Sequence, residues 1–274
     1  MLAFINNQYL EEDKAVLQVG DLAFQRGYAV FDFLKTINGT PLFLNDYIDR
    51  LFHSAFFMHL EPGFSKEGLK EIIFSLIRKN KTPDSGIKML ITGGYSTDGY
   101  QPGRPNLVVL QQILPILPSE KLVEGIKVIS HSFQRELPEA KSINYLTGIW
   151  LQPLLKAKQA ADVLYHQHGV VSEFPRANVF MVTKTGKIVT PSKGILQGIT
   201  RKYLLELAKN KFETEVRDLH IGEIEDAAEL FMTSTTKRLL PICQVDDILI
   251  GNGKPGPITT NLRESFIKFE NEMI

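Results

Sequence analysis

The dipeptide Asn38–Gly39 lies between the apolar runs "VFDFLKTI" and "TPLFL", and it constrains this chain more than any other feature. An Asn-Gly pair between strand-forming runs encodes a tight antiparallel hairpin, because both central residues must take positive φ. The run "AFINN" before it and "IKMLIT" and "NLVVLQQI" after it also read as strands. The first part of the chain must therefore build a sheet from hairpins. Asn45 is expected to cap a helix whose Ile48, Leu51, Phe52, Ala55 and Phe56 form one apolar face. A second helix is expected over 66–79.

The stretch "LPILPSE" at 114–120 carries two prolines and predicts a boundary, giving domains over 1–114 and 121–274 joined by a linker at 115–120. Beyond it, "IKVISH", "NVFMV", "KIVTP", "ELFMTS" and a pair around "ICQVDDILIG" read as strands. Helices are expected at "ITRKYLLELAKN", at the C-terminal end, and after Lys141, where Leu146, Ile149, Trp150, Leu154 and Leu155 recur at helical spacing. Strands and helices alternate irregularly, which favours an α+β fold over a doubly wound sheet.

Composition excludes several classes. The 274 residues carry 31 basic and 31 acidic side chains, so no general nucleic-acid binder is expected. Apolar runs fall short of the ~18 residues that span a bilayer, and the N-terminus lacks the marks of a signal peptide. A soluble, cytoplasmic protein with no membrane partner is expected. The lone Cys243 excludes an intramolecular disulfide and reads as a buried thiol. His166 and His168 stand two apart with no HExxH motif, so no metal site is expected. The loop "GGYSTDGYQPGRP" lacks the ending of a P-loop and reads as an exposed loop able to close over a substrate.

Four places carry chemistry when taken together. Lys141 is expected at the mouth of a helix, and Glu173 precedes a strand in "SEFPRANVF". Gly198, Ile199 and Thr200 open a helix, and "FMTSTTKR" puts Ser234, Thr235 and Thr236 directly after a strand. These are the parts of a pyridoxal phosphate site: an amine to bond the cofactor and move protons, a carboxylate for the pyridine nitrogen, and a helix N-terminus for the phosphate.

At these residues the chain resembles the class IV, or fold type IV, aminotransferases. That family includes D-amino acid transaminases, branched-chain aminotransferases and 4-amino-4-deoxychorismate lyase. "YIDRLFHSA" with Arg50, "KSINYLTGIWLQPLLKAKQA" with Lys141, "SEFPRANVF" with Glu173 and Asn178, "GITR" and "FMTSTT" carry the likeness in this order. The resemblance implies a small α/β domain followed by a larger pseudo-barrel domain, with pyridoxal 5'-phosphate as cofactor and amino acids and 2-oxo acids as substrates. It also implies a homodimer with its site near the interface. Lys141 then corresponds to the catalytic lysine and Glu173 to the partner of the pyridine nitrogen. Arg50, Ile199, Thr200 and Thr235 correspond to the phosphate shell, with Ser234 beside it and Thr236 toward the substrate.

Substrate choice is read from departures from the family pattern. Phe174-Pro175-Arg176 replaces the small-residue turn that many relatives have after the glutamate. Arg26 lies in the stretch that resembles the family's substrate-lining segment, where Phe31 stands in place of a frequent tyrosine. Two arginines facing the substrate would clamp two carboxylates. This favours dicarboxylic substrates such as glutamate and 2-oxoglutarate. A clamp at Arg176 and Arg26 is unlike the usual L-branched-chain pattern, so D-glutamate and D-alanine with their keto acids are expected. Arg104 is a further carboxylate candidate. An apolar pocket lined by Phe24, Phe31 and Phe33 would instead suit L-branched-chain substrates, and the Lys141–Glu173 framework equally admits the lyase.

Overall fold

The computed structural model describes residues 1–114 and 118–274, so the first half of the expected linker, 115–117, lies outside the described residues. Two compact units are present, one of residues 1–115, 139–144 and 274, the other of residues 116–138 and 145–273.

The first unit is built on strands β1 (Leu2–Ile5), β2 (Gln8–Glu11), β3 (Ala29–Ile37), β4 (Thr40–Pro41), β5 (Ser85–Thr92) and β6 (Leu107–Gln112), with helices α1 (Leu22–Arg26), α2 (Leu44–Phe57) and α3 (Lys66–Asn80). The sheet is antiparallel in the order β2-β1-β6-β5-β3-β4. Thr36 faces Pro41 and Ile37 faces Thr40 across the expected hairpin, with φ of 51° at Asn38 and 77° at Gly39. One sheet face, with Val30, Leu34, Ile87, Met89, Ile91 and Val109, is fully buried. Phe31, Phe33, Lys88 and Leu90 alternate onto the other face and are only half-buried.

Helix α2 differs from the sequence expectation in two ways. It starts at Leu44, so Asn45 lies inside the first turn, and Phe43 at φ 53° is the capping residue. Burying the Phe43 side chain as the chain leaves β4 sets that start. Phe56 is 80% exposed, and Tyr47 and Ser54 complete the buried stripe in its place.

The second unit contains α4 (Glu120–Val123), β7 (Ile126–Ser132), α5 (Leu146–Trp150), α6 (Gln152–Ala157), β8 (Asp162–Gln167), β9 (Val170–Val171), β10 (Glu173–Phe174), β11 (Ala177–Val182) and β12 (Ile188–Thr190). It continues with α7 (Ile199–Lys209), β13 (Thr214–Val216), β14 (Leu219–His220), β15 (Glu229–Ser234), β16 (Arg238–Val245), β17 (Ile248–Leu249) and α8 (Pro257–Asn271). Its mixed sheet runs β13-β12-β11-β15-β16-β7-β8-β9-β14, with β10 paired to β11. The sheet curls into a half-barrel, and the Ser172 N–H donates to the Tyr165 carbonyl at 2.9 Å where the chain turns back toward β10. Val128, Leu164, Phe174, Val179, Met232 and Leu240 belong to its core. The α+β expectation is met.

The segment around Lys141 corrects the sequence reading. Residues 141–144 are not helical. Val30 bridges Ser142, the Phe31 N–H donates to the Lys141 carbonyl at 2.9 Å, and the Ile143 N–H donates to the Ala29 carbonyl at 3.1 Å. Backbone pairing with β3 therefore holds Lys141, and helix begins only at Leu146. That helix breaks at Leu151, so its apolar stripe is not continuous. Leu151 and Leu155 pack with Ile129, Val163 and Tyr165, whereas Leu146, Ile149, Trp150 and Leu154 are 74%, 67%, 69% and 41% exposed.

Candidate active site

In the first unit, three contacts orient Lys141. Its carbonyl is fixed to β3, its N–H donates to the Ser54 hydroxyl on α2 at 3.1 Å, and its Nζ lies 4.8 Å from the Phe31 ring centroid. About one helical turn before Ser54 on α2, Arg50 donates to Asp32 through Nε at 2.9 Å and Nη2 at 2.7 Å. Asp32 is completely buried, so this forked pair fixes the guanidinium plane. Arg26 ends α1; it is exposed and donates to the neighbouring Gln25 carbonyl at 3.1 Å. Phe24 is 76% exposed, leaving Phe31 and Phe33 together on the half-buried sheet face.

The loop at 93–105 is tightly pinned within this unit. Buried Asp21 accepts from the Thr92 hydroxyl at 2.6 Å, Asn106 Nδ2 at 2.7 Å and the Ala23 N–H at 2.7 Å. A Cβ on Gly94, where φ is +74°, would fall 2.1 Å from the Arg104 carbonyl oxygen, so only glycine fits. At the tip, Asp98 accepts from the Gln101 and Tyr100 N–H groups, which hold its carboxyl below the usual range. The Arg104 side chain is exposed and reaches the vicinity of Gly63.

In the second unit, Glu173 is 5% exposed, and both of its oxygens are engaged. Arg135 Nε donates to Oε1 at 2.9 Å, while the Leu196 N–H at 2.9 Å and Asn178 Nδ2 at 3.3 Å donate to Oε2. Arg135 is itself held by the Pro138 carbonyl at 2.6 Å. A buried carboxylate with a cation and two N–H donors is held in its charged form. Asn178 also donates to the Leu196 carbonyl at 2.9 Å, tying Glu173 to the segment that enters α7.

That segment ends at Gly198, the capping residue of the eleven-residue α7, with no side-chain cap. The helix therefore presents the N–H groups of Ile199 and Thr200 in its first turn. A Cβ on Gly198 would fall 2.0 Å from Asn178 Oδ1, so glycine is obligatory here. Arg201 is buried beneath, donating to the Thr190 hydroxyl, Gln197 Oε1 and the Pro191 carbonyl at 3.2, 3.0 and 2.9 Å. Burial pulls its pKa down, and the Glu173 charge opposes that shift.

Ser234 ends β15, and Thr235 and Thr236 lie in the turn to β16; all three are half-buried. The next residue, Lys237, turns inward to Asp162 Oδ2 and Met232 Sδ, both at 3.4 Å; desolvation lowers its pKa and Asp162 counteracts this. Arg176 is exposed at the turn between β10 and β11. Tyr165 is buried, its phenol pushed up to about 12 by desolvation first and the Asp162 charge second. His166 lies on β8 and His168 in the following turn, while Cys243 is buried and its thiol pushed up by that burial.

The second unit suits the pyridoxal phosphate that the resemblance implies. A charged carboxylate, an uncapped helix N-terminus and the buried Thr233 hydroxyl, which has no hydrogen-bond partner among the described residues, offer complementary groups to its ring nitrogen and phosphate. Thr233 stands opposite Asn178 across β11 and β15. Sequence reasoning missed Arg135, Tyr165, Lys88 and the anchoring role of Arg201. Arg135 precedes the stretch that carries the Lys141 likeness, and nothing local marks it.

Comparison with known proteins gives a consistent result. The family model described as Amino-transferase class IV matches residues 29–245. A putative branched-chain-amino-acid aminotransferase of Methanocaldococcus jannaschii is 30% identical over 97% of this chain and 95% of its own length. A D-alanine aminotransferase of Listeria monocytogenes is 28% identical over 98% and 96%. The crystal structure of the Escherichia coli branched-chain amino acid aminotransferase superposes with a TM-score of 0.91 at 25% identity, covering 97% of this chain and 93% of that one. A second branched-chain amino acid aminotransferase, solved with pyridoxamine 5'-phosphate, superposes with a TM-score of 0.92 at 24% identity over 100% of this chain and 95% of that one.

Proposed function

Because the chain belongs to the class IV aminotransferases, enzymes that use pyridoxal 5'-phosphate, we propose that it exchanges amino groups between D-amino acids and 2-oxo acids. D-Glutamate and D-alanine are the amino acids, with 2-oxoglutarate and pyruvate as the acceptors. The likeness to the Listeria D-alanine aminotransferase over nearly the whole chain supports the hand.

The Glu173 cluster carries the chemical reading. When bound, the cofactor ring supplies a sink for the electron pair left as the substrate Cα–H bond breaks. Glu173, kept charged by Arg135, accepts a hydrogen bond from the ring nitrogen. Lys141 removes the Cα proton on its Nζ and later returns a proton. The Ile199 and Thr200 N–H groups, Arg50, and the hydroxyls of Ser234 and Thr235 hold the phosphate. A guanidinium has five N–H donors, and Asp32 orients those of Arg50. Arg26, Phe31, Arg176 and Thr236 face the substrate. The enzyme works as a homodimer; the exposed Leu146, Ile149 and Trp150 on α5 are the kind of apolar surface that a second copy covers.

A second reading has its own support. Phe31, Phe33 and Leu90 give the open sheet face an apolar character suited to L-branched-chain substrates, as in the Methanocaldococcus relative's name. The test is a half-reaction: the purified enzyme is mixed separately with D-glutamate, L-glutamate and L-leucine while the visible absorbance of the bound cofactor is followed. Rapid loss with D-glutamate alone is expected. Loss with L-leucine instead would replace this proposal by the branched-chain one, and no change with any of the three would bring the lyase forward.

A further inference from the structure

Lys88 occupies a position that no part of the reaction described so far requires. It stands on β5, opposite Phe33 and two residues from Leu90, which is opposite Phe31. It therefore shares the half-buried sheet face with the two aromatic rings. Its Nζ lies 5.3 Å from the Phe31 ring centroid, and Lys141 Nζ lies 4.8 Å from the same centroid. Two amines thus converge on one ring.

They reach it from opposite flanks. Strand β5 pairs along one edge of β3, whereas the 141–143 segment pairs along the other, through the Val30–Ser142 bridge and the Phe31 N–H bond to the Lys141 carbonyl. Elsewhere in this unit Lys66 pairs with Asp49 at 2.6 Å. Among the described residues Lys88 has neither an ion-pair partner nor a hydrogen-bond acceptor for its ammonium. The ring's negative face compensates the charge only in part. A half-buried cation left this way has donors to offer an anion from outside.

We propose that Lys88 determines specificity by receiving the distal carboxylate of dicarboxylic amino acids and 2-oxo acids. This rests on the reading of Lys141 as the catalytic amine. A substrate lying across Phe31 with its reacting nitrogen toward Lys141 directs its far end toward Lys88. The two amine nitrogens are separated by no more than the sum of their distances to the ring centre, a gap that a four- or five-carbon diacid spans. Monocarboxylic substrates gain nothing from this cation.

The experiment compares wild type, Lys88→Met and Lys88→Arg as holoenzymes. In Lys88→Met, the ratio of kcat/KM for 2-oxoglutarate to that for pyruvate falls at least about tenfold, while Lys88→Arg keeps most of it. Calorimetric binding of glutarate, a diacid that cannot react, weakens by a similar factor relative to butyrate. An unchanged ratio with unchanged glutarate affinity overturns the proposal, as does an equal loss for both acids. Failure of the Lys141 reading is seen separately: Lys141→Ala would then retain the absorbance of the lysine-bound cofactor, whereas glutarate binding by Lys88 needs no turnover.

Discussion

The surroundings of Glu173 and of Lys88 are opposites. The Glu173 carboxylate is buried with three donors on its two oxygens, one of them the Arg135 cation. Lys88 is half-buried, and among the described residues its ammonium has only the Phe31 ring beside it. A carboxylate that must hold a resident cofactor has to be charged and oriented before that cofactor arrives, and its protein partners achieve this. A cation meant for a transient ligand is left incomplete, because a protein acid at that place would compete with the substrate. If Glu173 and Lys88 act as proposed, saturation marks the cofactor's ground and incompleteness the substrate's.

Breaking the saturated side should cost the most. Arg135→Ala leaves a buried carboxylate without its cation, and unfolding by denaturant should show a loss of ~3 kcal/mol or more. A loss below ~1 kcal/mol would mean that Glu173 draws its support from the two N–H donors alone. An intermediate effect is expected at Tyr165, whose raised pKa means that the folded state keeps its proton longer than the unfolded chain does. That contribution is intact below pH 10 and disappears as pH rises toward about 12. The melting temperature of wild type should therefore fall more steeply than that of Tyr165→Phe between those values, and parallel curves would contradict the assignment. The smallest effect belongs to the incomplete side. Lys88→Met should leave unfolding free energy within ~0.5 kcal/mol of wild type, because no protein group loses a polar partner.

Much of this was legible locally. Asn38–Gly39 specified its hairpin because the turn needs positive φ at both residues. Glu173 and the glycine before α7 were readable because each lies at the end of a regular element. Other features depend on pairings far apart in sequence. Strand β8 escaped notice because Asp162 and His166 interrupt its apolar run; it becomes a strand by pairing with β7, where Val128 faces Asp162. Lys141 looked like the mouth of a helix, yet β3 claims its backbone and the helix starts only at Leu146. Arg135 meets Glu173 across 38 residues, a distance that no local pattern reports. Lys88 lies in "IKMLIT", which the sequence marks only as a strand. Only the register opposite β3 brings it to Phe31.

Two lysines on one ring make the identity of the catalytic amine the central claim. Borohydride reduction of the holoenzyme, followed by digestion and mass spectrometry, would fix the cofactor to its lysine and locate it. The account predicts the added mass on the peptide containing Lys141 and none on the peptide containing Lys88. Recovery on Lys88 would contradict it, exchanging the two roles and removing the basis for the carboxylate anchor.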